Sequence, residues 1–144
     1  MEDKSIILLV EDNESHALLV KRGISQSDIN AEMVHVLDGE EALEYLLKTS
    51  YTETNPNIKP KLVLLDLRLP KMDGIDVLKE VKRNEDISDI PIVVLTSSMA
   101  EPDILRAYYY HANSYLVKHI DFSQFRQQII DTVQYWIRWN ITPL

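Results

Sequence analysis

The stretch "KPKLVLLDLRLPKMDG" spans residues 59–74 and holds a conflict at its centre. Four apolar residues, Leu62 to Leu65, run without interruption into Asp66. A strand this apolar belongs in an interior, where an unpaired carboxylate is costly to bury. Either Asp66 is an ordinary loop acid that follows a strand, or something at the strand's end needs its charge.

The rest of the chain supplies the context. Similar short runs recur at Ile6–Val10, Met33–Leu37, Ile92–Leu95 and Tyr115–Val117. The runs at 6–10, 62–65 and 92–95 are continuously apolar rather than alternating, the pattern of strands buried on both faces of a parallel sheet. Between the runs lie segments with helical spacing: 14–24, 40–48, 74–84, 101–110 and about 121–139. Asp12 or Asn13 is placed to cap the first helix, and Asp121 or Ser123 the last. Phe122, Phe125, Ile129, Val133 and Trp136 share one face of that last helix. Strand and helix therefore alternate five times, which predicts an α/β sandwich with helices on both faces of a parallel sheet. The polar connection at 49–60 is long for a helix-to-strand loop and is expected to protrude. With 144 residues, a single domain at 1–144 is expected, with no output domain.

Composition narrows the function. The net charge of −8 opposes a sequence-independent nucleic-acid surface or an anionic membrane face, both of which want Lys and Arg. There is no cysteine, so disulfides and thiolate metal sites are excluded; the expected compartment is the cytoplasm. No signal peptide and no membrane-spanning run is visible.

Ligands of open α/β sheets bind outside the carboxyl ends of the strands. The residues found there are Glu11 and Asp12, Asp66, Thr96 and Ser97, and Lys118. If their strands are neighbours, three carboxylates converge and require a countercharge. A hard divalent cation fits, and carboxylates with waters and a phosphate are the usual surroundings of Mg2+. Lys118 adds a fixed positive charge and Thr96 a hydroxyl donor, together suited to phosphoryl oxygens. Aspartate is itself a nucleophile toward phosphoryl groups, so Asp66 is expected to be a phosphate acceptor.

Taken in order, "ILLVEDN" (7–13), "LVLLDLRLPKMDG" (62–74), "IPIVVLTSS" (90–98) and "ANSYLVK" (112–118) resemble the receiver domain of two-component response regulators. The ending "YLVKHIDFSQF…YWIRWN" is similar to the stand-alone receivers that serve cyanobacterial and bacterial phytochrome kinases. The resemblance implies a flavodoxin-like (βα)5 three-layer sandwich with strand order 2-1-3-4-5. It implies a sensor histidine kinase as phosphodonor, with the phytochrome type as its finer form, and Asp66 as phosphoacceptor. Mg2+ would be held by the side chains of Asp12 and Asp66 and the backbone carbonyl of Arg68, with Glu11 acting directly or through a water. Thr96 and Lys118 would contact the phosphoryl oxygens, and Thr96 and Tyr115 would form the switch. Pro70 and Gly74 match the shaped loop after the third strand. Such a protein catalyses only its own phosphoryl transfer and dephosphorylation.

Two departures are visible. His119 follows Lys118 where the family usually has proline in a cis peptide, which leaves the isomer of that bond open. His111 stands where glycine is common after the fourth helix, so a positive φ there would carry mild strain. A phosphorylation-independent scaffold and a haloacid-dehalogenase-type phosphatase are the competing readings; the phosphatase needs a second Asp two residues after the nucleophile, where Arg68 stands. His16, His35, His111 and His119 are scattered and read as surface or structural residues. Of Tyr108, Tyr109 and Tyr110 at least one must face outward. Tyr135, Trp136 and Trp139 either cover the sheet edge or form a partner surface, and a homodimer is the expectation drawn from them.

Overall fold

The computed structural model describes residues 4–49 and 59–142. Five parallel strands, β1 (Ser5–Val10), β2 (Ala31–Val36), β3 (Leu62–Leu65), β4 (Ile92–Thr96) and β5 (Ser114–Val117), form one sheet in the order β2-β1-β3-β4-β5. They alternate with α1 (Glu14–Gln26), α2 (Gly39–Thr49), α3 (Gly74–Lys82), α4 (Glu101–Tyr109) and α5 (Phe122–Val133). The three continuously apolar runs are the three central strands, and every residue of β1, β3 and β4 is buried. The flanking strands β2 and β5 are mostly half-buried.

Successive side chains of a strand point to opposite faces, and this divides the core in two. Leu8, Val10, Val63, Leu65, Ile92 and Val94 meet Ala42 and Leu46 of α2 and Ile75, Leu78 and Val81 of α3. Ile7, Leu9, Leu62, Leu64, Val93 and Leu95 meet Ala17, Val20 and Ile24 of α1 and Phe125, Ile129 and Val133 of α5. The helices α1 and α5 touch through Gly23, where a Cβ would lie 2.7 Å from Ile129.

Short polar side chains set the helix starts, as capping chemistry requires. Asn13 accepts from the His16 N–H (3.0 Å), Asp38 from Glu41 (2.9 Å), Asp73 from Asp76 (3.1 Å), and Asp121 from Ser123 and Gln124 (2.9 and 3.1 Å). The first and last of these settle the alternatives left by the sequence.

Three expectations need correction or relocation. The last helix does not run as one α-helix to residue 139: α5 ends at Val133 and continues as a π-helical turn, Gln134–Trp139. Gln134 donates to the Ser27 carbonyl (2.9 Å) and Arg138 to the Asp28 carbonyl (3.1 Å), tying this turn to the end of α1. Phe122 has the right angle for the apolar face but is 68% exposed, because the first turn of α5 stands beyond the carboxyl edge of the sheet. Most of the 49–60 loop, residues 50–58, lies outside the described residues.

Tyr108 and Tyr109 are exposed, whereas Tyr110 packs against the core with the Lys79 ammonium 4.5 Å from its ring centre. His111 does adopt a left-handed φ of 71°. Tyr135 and Trp139 face outward, and Trp136 packs on the α1–α5 side of the core. Among the described residues no helix is long and apolar enough to cross a membrane.

Candidate functional site

Register brings the site together. Val10 pairs with Leu65, so the next residues, Glu11 and Asp66, leave adjacent strands at the same level. The Asp66 N–H donates to the Val10 carbonyl (3.1 Å), holding the two chains together one step past the ladder. Thr96 pairs with Val117, and the Lys118 N–H donates back to the Thr96 carbonyl (2.8 Å). Parallel pairing thus delivers Glu11, Asp66, Thr96 and Lys118 to one rim. Asp12 joins them from the turn before α1.

The side chains close on one another. Glu11, Asp12 and Asp66 each offer a carboxylate oxygen within 4.8 Å of the others. Glu11 and Asp66 are buried and Asp12 is exposed. The buried Lys118 ammonium donates to Glu11 Oε1 (2.5 Å) and to Asp66 Oδ2 (3.0 Å). The second oxygen of Asp66, Oδ1, accepts from the Arg68 backbone N–H (3.2 Å). The whole opens into a cleft of about 560 Å³ that also takes in Thr96, Ser97 and Ser98. Its donor set is three hard carboxylates with one of them facing solvent, which fits a divalent cation that keeps part of its water.

One lysine does not balance three acids. Burial, with the charge of Asp66 beside it, pushes the Glu11 carboxyl up to about 7 against the pull of Lys118. A bound cation acts in the opposite direction and favours the ionised form. The buried Glu11 backbone is itself anchored, since His35 Nε2 donates to its carbonyl (2.7 Å).

The peptide between Lys118 and His119 is trans, as are all described peptide bonds. Lys118 nevertheless reaches into the cleft. Its third neighbour is His16, whose Nδ1 lies 2.9 Å from the ammonium. The sequence placed His16 among the surface or structural histidines; its one signal was a position four residues after Asp12, on the turn of α1 that faces the rim.

A second group lies at the mouth. The Arg68 side chain crosses from the β3–α3 loop to α4, where its guanidinium meets Asp103 Oδ2 at 2.7 Å. Asp103 also accepts from the Ser98 hydroxyl, and the Tyr115 hydroxyl donates to the Ser98 carbonyl (2.9 Å). Tyr115 is half-buried and burial raises its phenol. The Ser98 N–H also donates to the Thr96 hydroxyl (3.4 Å), so Ser98, just after β4, links Thr96 at the end of that strand to Tyr115 of β5. Gly74 completes the floor: a Cβ there would fall 2.3 Å from the Asp66 carbonyl oxygen, so α3 can start against this loop only without a side chain.

Known proteins are similar to this chain in sequence and in fold. A model of the response regulator receiver domain matches residues 7–130. The chain is 38% identical over 147 aligned residues to the response regulator Rcp1 of Synechocystis, covering 99% of both proteins. It is 43% identical over 142 residues to a probable methanogenesis regulatory protein, FilR2, of Methanothrix harundinacea, covering 99% of this chain and 90% of that one. Among solved structures, the phosphorylated cyanobacterial phytochrome response regulator RcpA superposes with a TM-score of 0.89 at 37% identity, covering 98% of this chain and 99% of that one. The Mn2+-bound form of Rcp1 gives 0.86 at 36% identity, covering 97% and 99%. With fold, strand order and sequence in agreement, the chain belongs to the response regulator receiver domain family of two-component signal transduction.

Proposed function

We propose that Asp66 accepts a phosphoryl group from a sensor histidine kinase and that the modified cleft changes the surface this protein shows to partners. A phosphodonor kinase is implied by the family; a phytochrome-type kinase is proposed from the similarity to RcpA and Rcp1. The observation that carries the reading is the Lys118 ammonium seated on Asp66 Oδ2 inside a cluster of three acids.

An Asp66 oxygen attacks the phosphorus in line, the P–N bond of the kinase phosphohistidine breaks, and the imidazole leaves with the electron pair. Lys118 follows the charge onto a phosphoryl oxygen, and the Thr96 hydroxyl donates to another. Positioning and fixed charge supply most of the acceleration. Mg2+ bound at these acids would supply charge that neutralises the approaching phosphoryl group. Asp12 and Asp66 would hold the ion by their side chains, Arg68 would offer its backbone carbonyl, and Glu11 would act directly or through a water. Water later cleaves the acyl phosphate.

The new charge draws Thr96 inward, and Tyr115 turns with the Ser98 segment to which it is bonded. The surface affected carries exposed Leu105, Tyr109 and Ile120. We place on it a protein partner or a second copy of the chain. The acidic balance argues for a protein partner over nucleic acid. Absence of cysteine is compatible with action in the cytoplasm. A dehalogenase-type phosphatase would need an acid where Arg68 stands, and that side chain is committed to Asp103.

Incubation with acetyl phosphate and Mg2+ followed by intact-mass measurement tests the reading. Wild type should gain the mass of one HPO3 and Asp66→Asn none. An equal gain in Asp66→Asn, or no gain with any phosphodonor, would overturn it.

A further inference from the structure

A lysine ammonium has three hydrogens to donate and no lone pair. Lys118 has a side chain only 4% exposed, so all three donors need partners within the protein. Two are Glu11 and Asp66, the acids that the proposed function assigns to metal and phosphoryl chemistry. The third is neutral and arrives from a different element. His16 Nδ1 stands 2.9 Å away, and since an ammonium only donates, this nitrogen carries the lone pair and the ring hydrogen sits on Nε2.

His16 is itself held at two points. Its backbone N–H donates to the Asn13 cap at 3.0 Å, which locks the first turn of α1. Its ring leans on Phe125 of α5, with centroids 6.0 Å apart and planes inclined by 38°. A third of the side chain reaches solvent, so an outward-turned imidazole has room. The ring faces Lys118 instead. The lysine needs such a hold, because its four-carbon stem is flexible and both other acceptors lie in the reacting cluster.

We infer that His16 is a positioning residue for Lys118. It keeps one N–H of the ammonium fixed on α1 while the donor now on Asp66 moves to an incoming phosphoryl oxygen. The inference rests on the phosphoacceptor reading of Asp66, and it concerns a residue outside the acidic cluster.

Two substitutions separate positioning from packing. His16→Leu keeps the contact with Phe125 and removes the acceptor. His16→Asn returns an acceptor oxygen near the place of Nδ1. With acetyl phosphate and Mg2+, His16→Leu should be phosphorylated roughly tenfold more slowly, the scale of a sub-ångström misplacement of a catalytic group. His16→Asn should recover most of that rate. Mg2+ affinity, measured by calorimetry with the metal alone, should be unchanged in both.

A second readout needs no phosphodonor. The 15N resonance of the Lys118 ammonium, assigned by its loss in Lys118→Arg, should be protected from exchange in wild type and His16→Asn and lost in His16→Leu. Wild-type rate and an unmoved resonance in His16→Leu would overturn the inference while leaving Asp66 as phosphoacceptor. Equal impairment of both variants, or a loss of Mg2+ affinity with the rate, would also overturn it by making His16 structural. If wild type takes no phosphoryl group, the proposed function fails and the resonance alone decides whether His16 holds Lys118.

Discussion

Asp66 can end a buried strand because Lys118 donates to one of its oxygens and a backbone N–H to the other. The residual cost falls on Glu11, whose carboxyl is raised from its ordinary 4.5 to about 7 by burial and by Asp66. The sign of the resulting pH dependence follows from linkage. A carboxyl with a raised folded pKa binds more protons in the folded state, so its contribution is present below about 4.5 and lost as pH rises to about 7. Without divalent cations the protein should lose on the order of 3 kcal/mol of stability across that window. Urea unfolding at several pH values checks this, and saturating Mg2+ should flatten the slope. Among individual residues, the acids and Lys118 were legible as a rim set because Glu11, Asp66 and Lys118 each directly follow an apolar run and Asp12 comes one residue later. His16 was not legible, since a lone histidine on a helix carries no mark of what it faces. The partnership of Arg68 with Asp103 was hidden for a similar reason: it joins a loop to a helix 35 residues further along the chain.

At the scale of elements, the loop between β3 and α3 is the tightest piece of construction around the site. Gly74 sits with its Cα against the Asp66 and Leu67 backbone, where any Cβ would collide. Gly74→Ala should therefore push α3 away from the loop. We expect a loss of about 1–3 kcal/mol in urea unfolding, typical of forcing extra volume into packed structure, together with slower phosphorylation by acetyl phosphate. An unchanged midpoint would show that α3 moves freely there. The hydrophobic pattern identified the elements well because burial on two faces and burial on one face leave different signatures. It separated β1, β3 and β4 from β2 and β5 before any topology was known. It could not reveal the π-helical turn after Val133, since Trp136 and Ile137 remain on the core side in either geometry. What decides that turn is tethering by Gln134 and Arg138 to the end of α1, where Asp28 adopts a φ of 63°. Phe122 misled for a related reason: angular position says which way a side chain points and says nothing about whether the sheet extends beneath it.

For the whole molecule, the sheet acts as a frame that puts charge at one rim and apolar surface at its flank. Leu105 and Tyr109 are exposed on α4, which packs against β5, the strand of Tyr115, and Ile120 is exposed in the connection that follows that strand. If this face joins two copies when Asp66 is modified, sedimentation should show the proportion of dimer rising with acetyl phosphate and Mg2+. An unchanged monomer at all concentrations would exclude a dimer as the readout. The account depends most on the cleft directing a phosphoryl group to one particular acid. Borohydride trapping tests that directly, because it reduces an acyl phosphate to an alcohol and converts the modified aspartate to homoserine. After treatment with acetyl phosphate, peptide mass mapping should find homoserine at position 66 when Mg2+ is present and none there when it is chelated. Homoserine at a different aspartate, or an identical yield at position 66 without any divalent cation, would contradict the account.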